Sequence, residues 1–544
     1  MKLPDTPPSY PPCPPINIST SGVEKLLRNL KIGKAPGPDR LPNIVLKTCA
    51  EQIAPILALI FQKSINSGKL PEDWLTANIS AAFKKGNRHL PENYRPISLT
   101  SIPCKILEHI ICSHLHKHFE NYNILTHLNH GFRAGYSCET QLLTTADDLL
   151  QSFDKDKQID VAILDFSKAF DTVPHQKLLY KLNNYGICGP TLSWLESFLT
   201  KRSMRVVLDA SASEATSVDS GVPQGTVLGP LLFLCHINDL PESVTSKVRL
   251  FADDCLLYRE INSFDDHLKL QNDLKQLEVW ASKWGMRFNA SKCYILSICK
   301  NSTKKSLFHY QLDNTILKHV TENPYLGILF SDDLTWRNHI SKITKKANCI
   351  LGFLKRNLHK CPRKCKQAAY ISLIRSVIEY GTPLWDPFLK KDIDMLEQIQ
   401  RKALRFIYGE YKNFAPGTIR NLQKKSQLPS LEDRRRSIRL TFMFKVVEGL
   451  VPAMPPESFI TFNKPGRLIR PRRDTNFQTK NPIDNYIRNN SRPIKIRDSR
   501  SDQHRFSFFV RTATDWNQLP DPVVQSKTLE SFKNQLIEEQ KLFD

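Results

Sequence analysis

Apolar and polar positions follow two different periods along this chain. From about residue 76 to 335, short runs such as Val161-Ala162-Ile163-Leu164 and Val248-Arg249-Leu250-Phe251 alternate with longer amphipathic stretches, the pattern of helices laid over a sheet. From Ile340 the period becomes helical. Ile343, Ala347, Ile350, Leu351 and Leu354 recur on one face, Pro362 interrupts, and Tyr370, Leu373 and Val377 resume, which predicts a helical unit after the α+β one. At the other end, Pro4, Pro7, Pro8, Pro11, Pro12, Pro14 and Pro15 read as an extended arm. Ser21-x-x-Glu24 ahead of Leu26, Leu27 and Leu30 reads as a capping box, and the loop Lys34-Ala35-Pro36-Gly37-Pro38-Asp39 ends that helix. Residues 464–505, rich in Lys, Arg, Pro and Asn, read as a disordered basic linker, and 506–536 as a small helical cap.

Four segments carry candidate chemistry. The run 161–164 ends in Asp165 and is predicted to turn into a polar-headed helix, so Asp165 is either a metal-facing acid or a helix cap. In Phe251-Ala252-Asp253-Asp254-Cys255-Leu256, two apolar runs flank an acid pair, as at the tip of a tight hairpin. Three carboxylates at two strand ends could converge, and mutually repelling acids stay ionised together when a divalent cation neutralises them. Ser220-Gly221-Val222-Pro223-Gln224-Gly225 is a loop that brings backbone close to a planar ligand. Lys84, Lys85 and Arg95 set positive charge where a triphosphate could bind.

Composition sharpens this. The formal net charge of +23 makes a polyanion the first partner to test. Between Leu334 and Ile378 there is no acidic residue, while Lys342, Lys345, Lys346, Lys355 and Arg356 crowd together, which favours a phosphate-tracking surface over a merely solvated face. The apolar run 227–237 contains Gly229 and Pro230 and is too short for a membrane span, so no membrane partner is expected. No secretory signal precedes it, and cytosol or nucleus follows as the expected location. The odd set of 13 cysteines is expected to stay reduced; His359, Cys361 and Cys365 lack a fourth metal ligand.

Taken together, these segments resemble, in order and spacing over about residues 30–400, the reverse transcriptase of LINE-type (non-LTR) retrotransposons. The resemblance implies an α+β right-hand polymerase with fingers, an antiparallel palm sheet, a helical thumb and a basic C-terminal extension. The implied boundaries are a Pro-rich arm at 1–18, an N-terminal extension at 19–75, fingers and palm at 76–335, thumb at 336–430 and the C-terminal region at 431–544. By the family's motifs, Asp165, Asp253 and Asp254 would hold two Mg²⁺ or Mn²⁺ ions, with the Phe166 carbonyl a further ligand. Phe170 would lie under the sugar, Gln224 and Gly225 would line the nascent base pair, and Lys84 and Arg95 would hold the triphosphate. Lys292, in a stretch similar to motif D, would stand near the leaving pyrophosphate as its proton donor. Tyr325-Leu326-Gly327-Ile328 resembles the primer grip, and Gly131-Phe132-Arg133-Ala134-Gly135 the fingers insertion. Template RNA, DNA primer and dNTPs are the implied partners, along with a separate endonuclease or polyprotein partner, in a cytoplasmic ribonucleoprotein and the nucleus. Cys255 departs from the family's usual Thr, and Cys235-His236 from its aliphatic-aromatic pair; both flank the site. The rivals are an RNA-dependent RNA polymerase or intron maturase, against which Ala252 and Pro223-Gln224-Gly225 argue, and an inactive relative kept for RNA binding, against which the intact acids argue.

Overall fold

The computed structural model describes residues 9–209, 211–301, 303, 305–463 and 491–543. Its strands in chain order begin with β1 (Thr76–Phe83), β2 (Tyr94–Leu99), β3 (Gln158–Asp165), β4 (Arg202–Leu208), β5 (Ser211–Ala212), β6 (Thr216–Val218) and β7 (Lys247–Phe251). They continue with β8 (Asp254–Ile261), β9 (Tyr294–Ile298), β10 (Gln311–Leu312), β11 (Thr315–Ile316), β12 (Lys318–Val320), β13 (Glu322–Tyr325) and β14 (Ile328–Ser331).

The central sheet runs in the order β12-β9-β3-β8-β7. Period-2 alternation along its strands divides the apolar residues between two cores. Ala162 and Leu164 of β3, Cys255 and Leu257 of β8, and Ile295 of β9 point into one, which holds the helices Ala50–Ser67, Ile102–Asn121, His175–Asn184, Leu228–Ile237 and Phe264–Trp284. Ile159 and Val161, Leu256 and Tyr258, and Leu296 and Ile298 point into the other, which holds the helix Cys138–Asp154 and the helical C-terminal half. Helices therefore cover both faces, and the ends of the interior strands β3 and β8 are left to present chemistry. A second sheet joins β2 and β1 antiparallel, with β4 parallel to β1 and both β5 and β6 on β4.

Several expectations change. The central sheet is antiparallel except at one edge, where β12 runs parallel to β9, because the chain crosses over through β10 and β11 before returning. No helix follows Asp165 directly. Residues 166–171 turn, with Lys168 at φ +48°, and the helix begins at His175 after Pro174 fixes its entry. The first helix is Thr20–Arg28, capped by Ser19, whose hydroxyl accepts from Gly22 N at 3.2 Å; Ser21 and Glu24 lie inside it. The described part of the Pro-rich arm docks: Cys13 N donates to Gly186 O at 2.8 Å and Tyr10 meets Tyr185 edge-on.

Arg337–Asn357 is the expected helix, followed by Arg363–Ala369. Its apolar core does not divide at residue 430. The helix Leu431–Val447 joins it through Arg435 and Arg439, whose Nε atoms each donate at 2.7 Å to buried Asp386. Phe444 stacks on Phe532 at 4.4 Å, so the expected cap is an integral layer. Of the expected linker, 464–490 lie outside the described residues. Residues 497–501 form a strap across the helix Cys138–Asp154: Arg497 Nη1 donates to Asp147 Oδ1 at 2.7 Å, and Ser501 N and Oγ both donate to Asp154 Oδ1 at 2.7 Å. Among the described residues no helix is long and apolar enough to cross a membrane.

Candidate active site

Three carboxylates meet where the central sheet opens. Asp165 ends β3, Asp254 begins β8, and the register sets the two directly opposite each other, which places their Cβ atoms about 4.5–5.5 Å apart. Asp253 lies in the two-residue turn between β7 and β8, beside Ala252 at φ +53°. Burial, and then the Asp165 charge, push the Asp253 carboxyl up from its ordinary value, while Arg95 and Lys84 pull it back. Asp254 is pushed up to about 6 by burial, then by Asp253 and Asp165, with Lys84 opposing. The acids therefore strain against one another. Among the described residues no three His, Cys, Asp or Glu side chains close into a ready-made metal cage. The donor set fits a hard divalent cation all the same: its side-chain donors are carboxylate oxygens alone, and burial together with their mutual repulsion keeps Asp253 and Asp254 raised despite the nearby cations.

The other expected residues fall into three groups. Lys292 Nζ stands 3.5 Å from Asp165 Oδ2. That approach is built by the chain itself, because Asn289 N donates to Asp165 O at 2.7 Å, Ser167 N donates to Arg287 O at 2.8 Å, and the Phe166 and Phe288 rings stack at 4.4 Å. Those two bonds flank the Phe166–Phe288 bridge as a pair not bonded to each other. The Phe166 carbonyl is thereby turned away from that segment, to the side of Asp253 and Asp254. Lys84 and Arg95 share one face of the β1–β2 pair, since Ala82 is opposite Arg95 and Lys84 N donates to Asn93 O at 2.8 Å.

Phe170, Gln224 and Gly225 form the second group. The Phe170 ring stacks on Phe233 at 4.4 Å and 17°, and meets Phe132 edge-on at 6.2 Å. Val222 N donates to Phe170 O at 2.7 Å, and Ser98 N to Gln224 O at 2.7 Å, so the loop is held between the Phe170 turn and β2. Gly225, at φ +101°, leaves no room for a side chain: a Cβ there would lie 2.9 Å from Ser98 O. Fully buried Glu108 caps the helix after the loop, accepting from Val227 N at 2.7 Å and Leu228 N at 3.1 Å. The third group stays apart. Lys342, Lys345, Lys346 and Arg356 are exposed on the helix Arg337–Asn357, and half-buried Lys355 lies over the Tyr411 ring at 5.6 Å.

Sequence reasoning missed the partners that set these geometries. Asp171 accepts from Gln224 Nε2 at 2.9 Å, and burial raises its carboxyl. Phe132 and Phe233 clamp Phe170 from segments distant in the chain. Each stands in a stretch marked by turn or apolar signals, but nothing local says which aromatic ring it will meet.

Residues 83–330 match the family described as Reverse transcriptase (RNA-dependent DNA polymerase). The chain is 28% identical over 444 residues to the RNA-directed DNA polymerase from mobile element jockey of Drosophila melanogaster, covering 78% of this chain and 47% of that one. It is 28% identical over 466 residues to the probable RNA-directed DNA polymerase from transposon BS of the same fly, covering 82% and 51%. Against the probable RNA-directed DNA polymerase from transposon X-element, also of Drosophila melanogaster, it is 28% identical over 419 residues, covering 75% and 45%. The chain spans about half the length of these curated relatives.

Proposed function

We infer that this chain, whose residues 83–330 are a reverse transcriptase domain of the kind found in non-LTR mobile elements, is an RNA-directed DNA polymerase that extends a primer 3′-hydroxyl with dNTPs on an RNA template. One observation carries the reading: Asp165 and Asp254 face each other at adjacent strand ends with Asp253 beside them, the positive charge of Lys84 reaching both Asp253 and Asp254 and that of Arg95 reaching Asp253.

In this reading 76–335 are fingers and palm and 336–430 the thumb. Asp165, Asp253, Asp254 and the Phe166 carbonyl would hold two Mg²⁺ or Mn²⁺ ions. Such a pair, when bound, activates the attacking 3′-oxygen and stabilises the leaving oxygen of an in-line displacement. The chain's own residues do the rest. Lys84 and Arg95 neutralise the triphosphate, and Phe170, fixed by Phe233 and Phe132, floors the sugar. Gln224 and Gly225 line the base pair. Lys292, already beside Asp165, gives a proton to the leaving pyrophosphate. Lys342, Lys345, Lys346, Lys355 and Arg356 track template–primer phosphates. The work belongs to a cytoplasmic ribonucleoprotein and the nucleus, with an endonuclease supplied by a separate protein or by another part of a polyprotein.

The test is dTTP incorporation on poly(rA)·oligo(dT), with and without Mg²⁺ or Mn²⁺. Metal-dependent extension is expected. Folded protein that binds the template–primer but extends nothing with either ion would instead identify an RNA-binding relative that has lost its chemistry.

A further inference from the structure

The turn that carries Asp253 and Asp254 is not self-sufficient. A two-residue hairpin with its first central residue at positive φ ordinarily takes Gly there, and here it is Ala252 at φ +53°. Such a conformation persists where the surroundings over-determine it. The surroundings are a short segment from elsewhere in the chain, 128–131. Leu250 N donates to Leu128 O at 2.9 Å and His130 N to Leu250 O at 3.0 Å, which adds that segment to the free edge of β7. Between those two bonds stands Asn129, 3% exposed. Its Oδ1 accepts from Ala252 N at 3.1 Å and from Gly131 N at 3.1 Å. Gly131 completes the fit: a Cβ there would lie 2.5 Å from Ala252 N and 3.1 Å from Ala252 Cα. His130 Nδ1, 2.8 Å from Thr140 Oγ1, ties the segment to the start of the helix Cys138–Asp154.

We propose that Asn129 is a positioning residue for the polymerase site, holding the Ala252 amide so that Asp253 and Asp254 present their carboxylates to Asp165 in one geometry. The inference rests on the reading of those acids as the catalytic set. Asn129 touches no reacting atom; it acts through the turn. A buried amide oxygen shared by two backbone donors leaves the turn one position, and displacements of about 1 Å at such a site cost on the order of a hundredfold in rate.

The experiment compares wild type with Asn129→Ser, whose shorter hydroxyl withdraws the acceptor, and Asn129→Asp, which keeps it. Gly131→Ala is the second route, since it displaces the same turn by contact while leaving Asn129 in place. Three quantities are read: single-nucleotide kcat and KM, the Mg²⁺ concentration for half-maximal rate, and hydrogen exchange at the Ala252 amide without metal or substrate. Asn129→Ser is expected to lower kcat by about 30–100-fold and to raise the Mg²⁺ requirement, with KM for dNTP within about twofold. Ala252 exchange should quicken about tenfold or more, while amides in the middle of β3 keep their protection. Asn129→Asp should recover most of the exchange protection. Unchanged Ala252 exchange, or a kcat within about threefold of wild type in Asn129→Ser, overturns the assignment. If Asn129→Ser does not fold, Gly131→Ala decides: a loss confined to kcat and Mg²⁺ dependence supports the brace, and unaltered kinetics overturn it. Wild-type protein that extends no primer rejects the catalytic reading itself, whereas active wild type with an indifferent Asn129→Ser rejects only this inference.

Discussion

Asp160 and Asp165 stand on the same strand, β3, and live in opposite circumstances. Asp160 is fully buried and answered on both oxygens: Tyr310 OH donates to Oδ2 at 2.8 Å, with His267 Nδ1 3.3 Å away, and Gln158 Nε2 donates to Oδ1 at 2.9 Å. His267 continues the network to Tyr310 OH at 2.8 Å and Ser306 Oγ at 3.0 Å. Asp165 is 37% exposed, has Lys292 at 3.5 Å as its one ion-pair partner among the described residues, and faces two more acids. The closed end of the strand spends its polar groups on itself. The open end leaves them in conflict, and conflict that the fold tolerates marks where a ligand is to be accommodated.

The contrast breaks most visibly in rate. Asp253→Asn is expected to lower primer extension about a thousandfold or more while template–primer binding holds, because the change removes charge and no nucleic-acid contact. Asp160→Asn should leave the rate within about threefold, so single-turnover extension by the two variants separates the ends. Equal losses in folded protein would abolish the distinction.

Phe170→Val asks whether the open end acts on substrate or on fold. The kcat/KM ratio for dGTP over GTP is expected to fall about a hundredfold, since a ring held on both sides leaves a 2′-hydroxyl no volume, and Phe170→Tyr should preserve it. If Val loses both nucleotides together and melts earlier, Phe170 belongs with Asp160 among the residues that hold the fold.

Stability supplies the reverse effect. Asp160→Asn should cost about 1–3 kcal/mol in urea unfolding, as the Tyr310 hydroxyl and its network lose a charged acceptor. An unchanged midpoint would deny the closed end its role.

Smallest, and opposite in sign, is Asp254→Asn. An acid whose folded value is raised binds more protons folded than unfolded, so its ionisation destabilises the metal-free protein as pH rises from the ordinary 3.8 toward about 6 and beyond. The Asn variant should be the more stable at pH 7, by a few tenths to about 1 kcal/mol after solvent screening at an open-edged site, and should lose that lead at acid pH. Urea midpoints for the pair across that window test it; a constant difference at all pH values would contradict the repulsion.

The sheet, the strand-end acids and the helical C-terminal half were legible because period and punctuation announce them: an apolar run stopping at Asp165, and two apolar runs closing on Asp253 and Asp254. What stayed hidden depends on contacts across the chain. The turn after Asp165 reads as helical on local propensity, but pairing of Phe166 with Phe288 and the positive φ of Lys168 override it. Asn129 sits in no run that marks it, since its partner is a backbone amide more than a hundred residues away. Asp386 with Arg435 and Arg439 reads as scattered charge until the fold buries all three.

The strap at 497–501 has a consequence in time. Arg497 and Asp147 are separated by 350 residues, and Ser501 and Asp154 by 347. At ordinary elongation rates the ribosome needs roughly 20–70 s to pass from one partner to the other. Throughout that interval the helix Cys138–Asp154 waits in the nascent chain with Asp154 unanswered, Asp147 held by Gln151 of its own helix but not by Arg497, and part of its apolar face uncovered. A chaperone, or the RNA being translated, has that long to occupy the surface first.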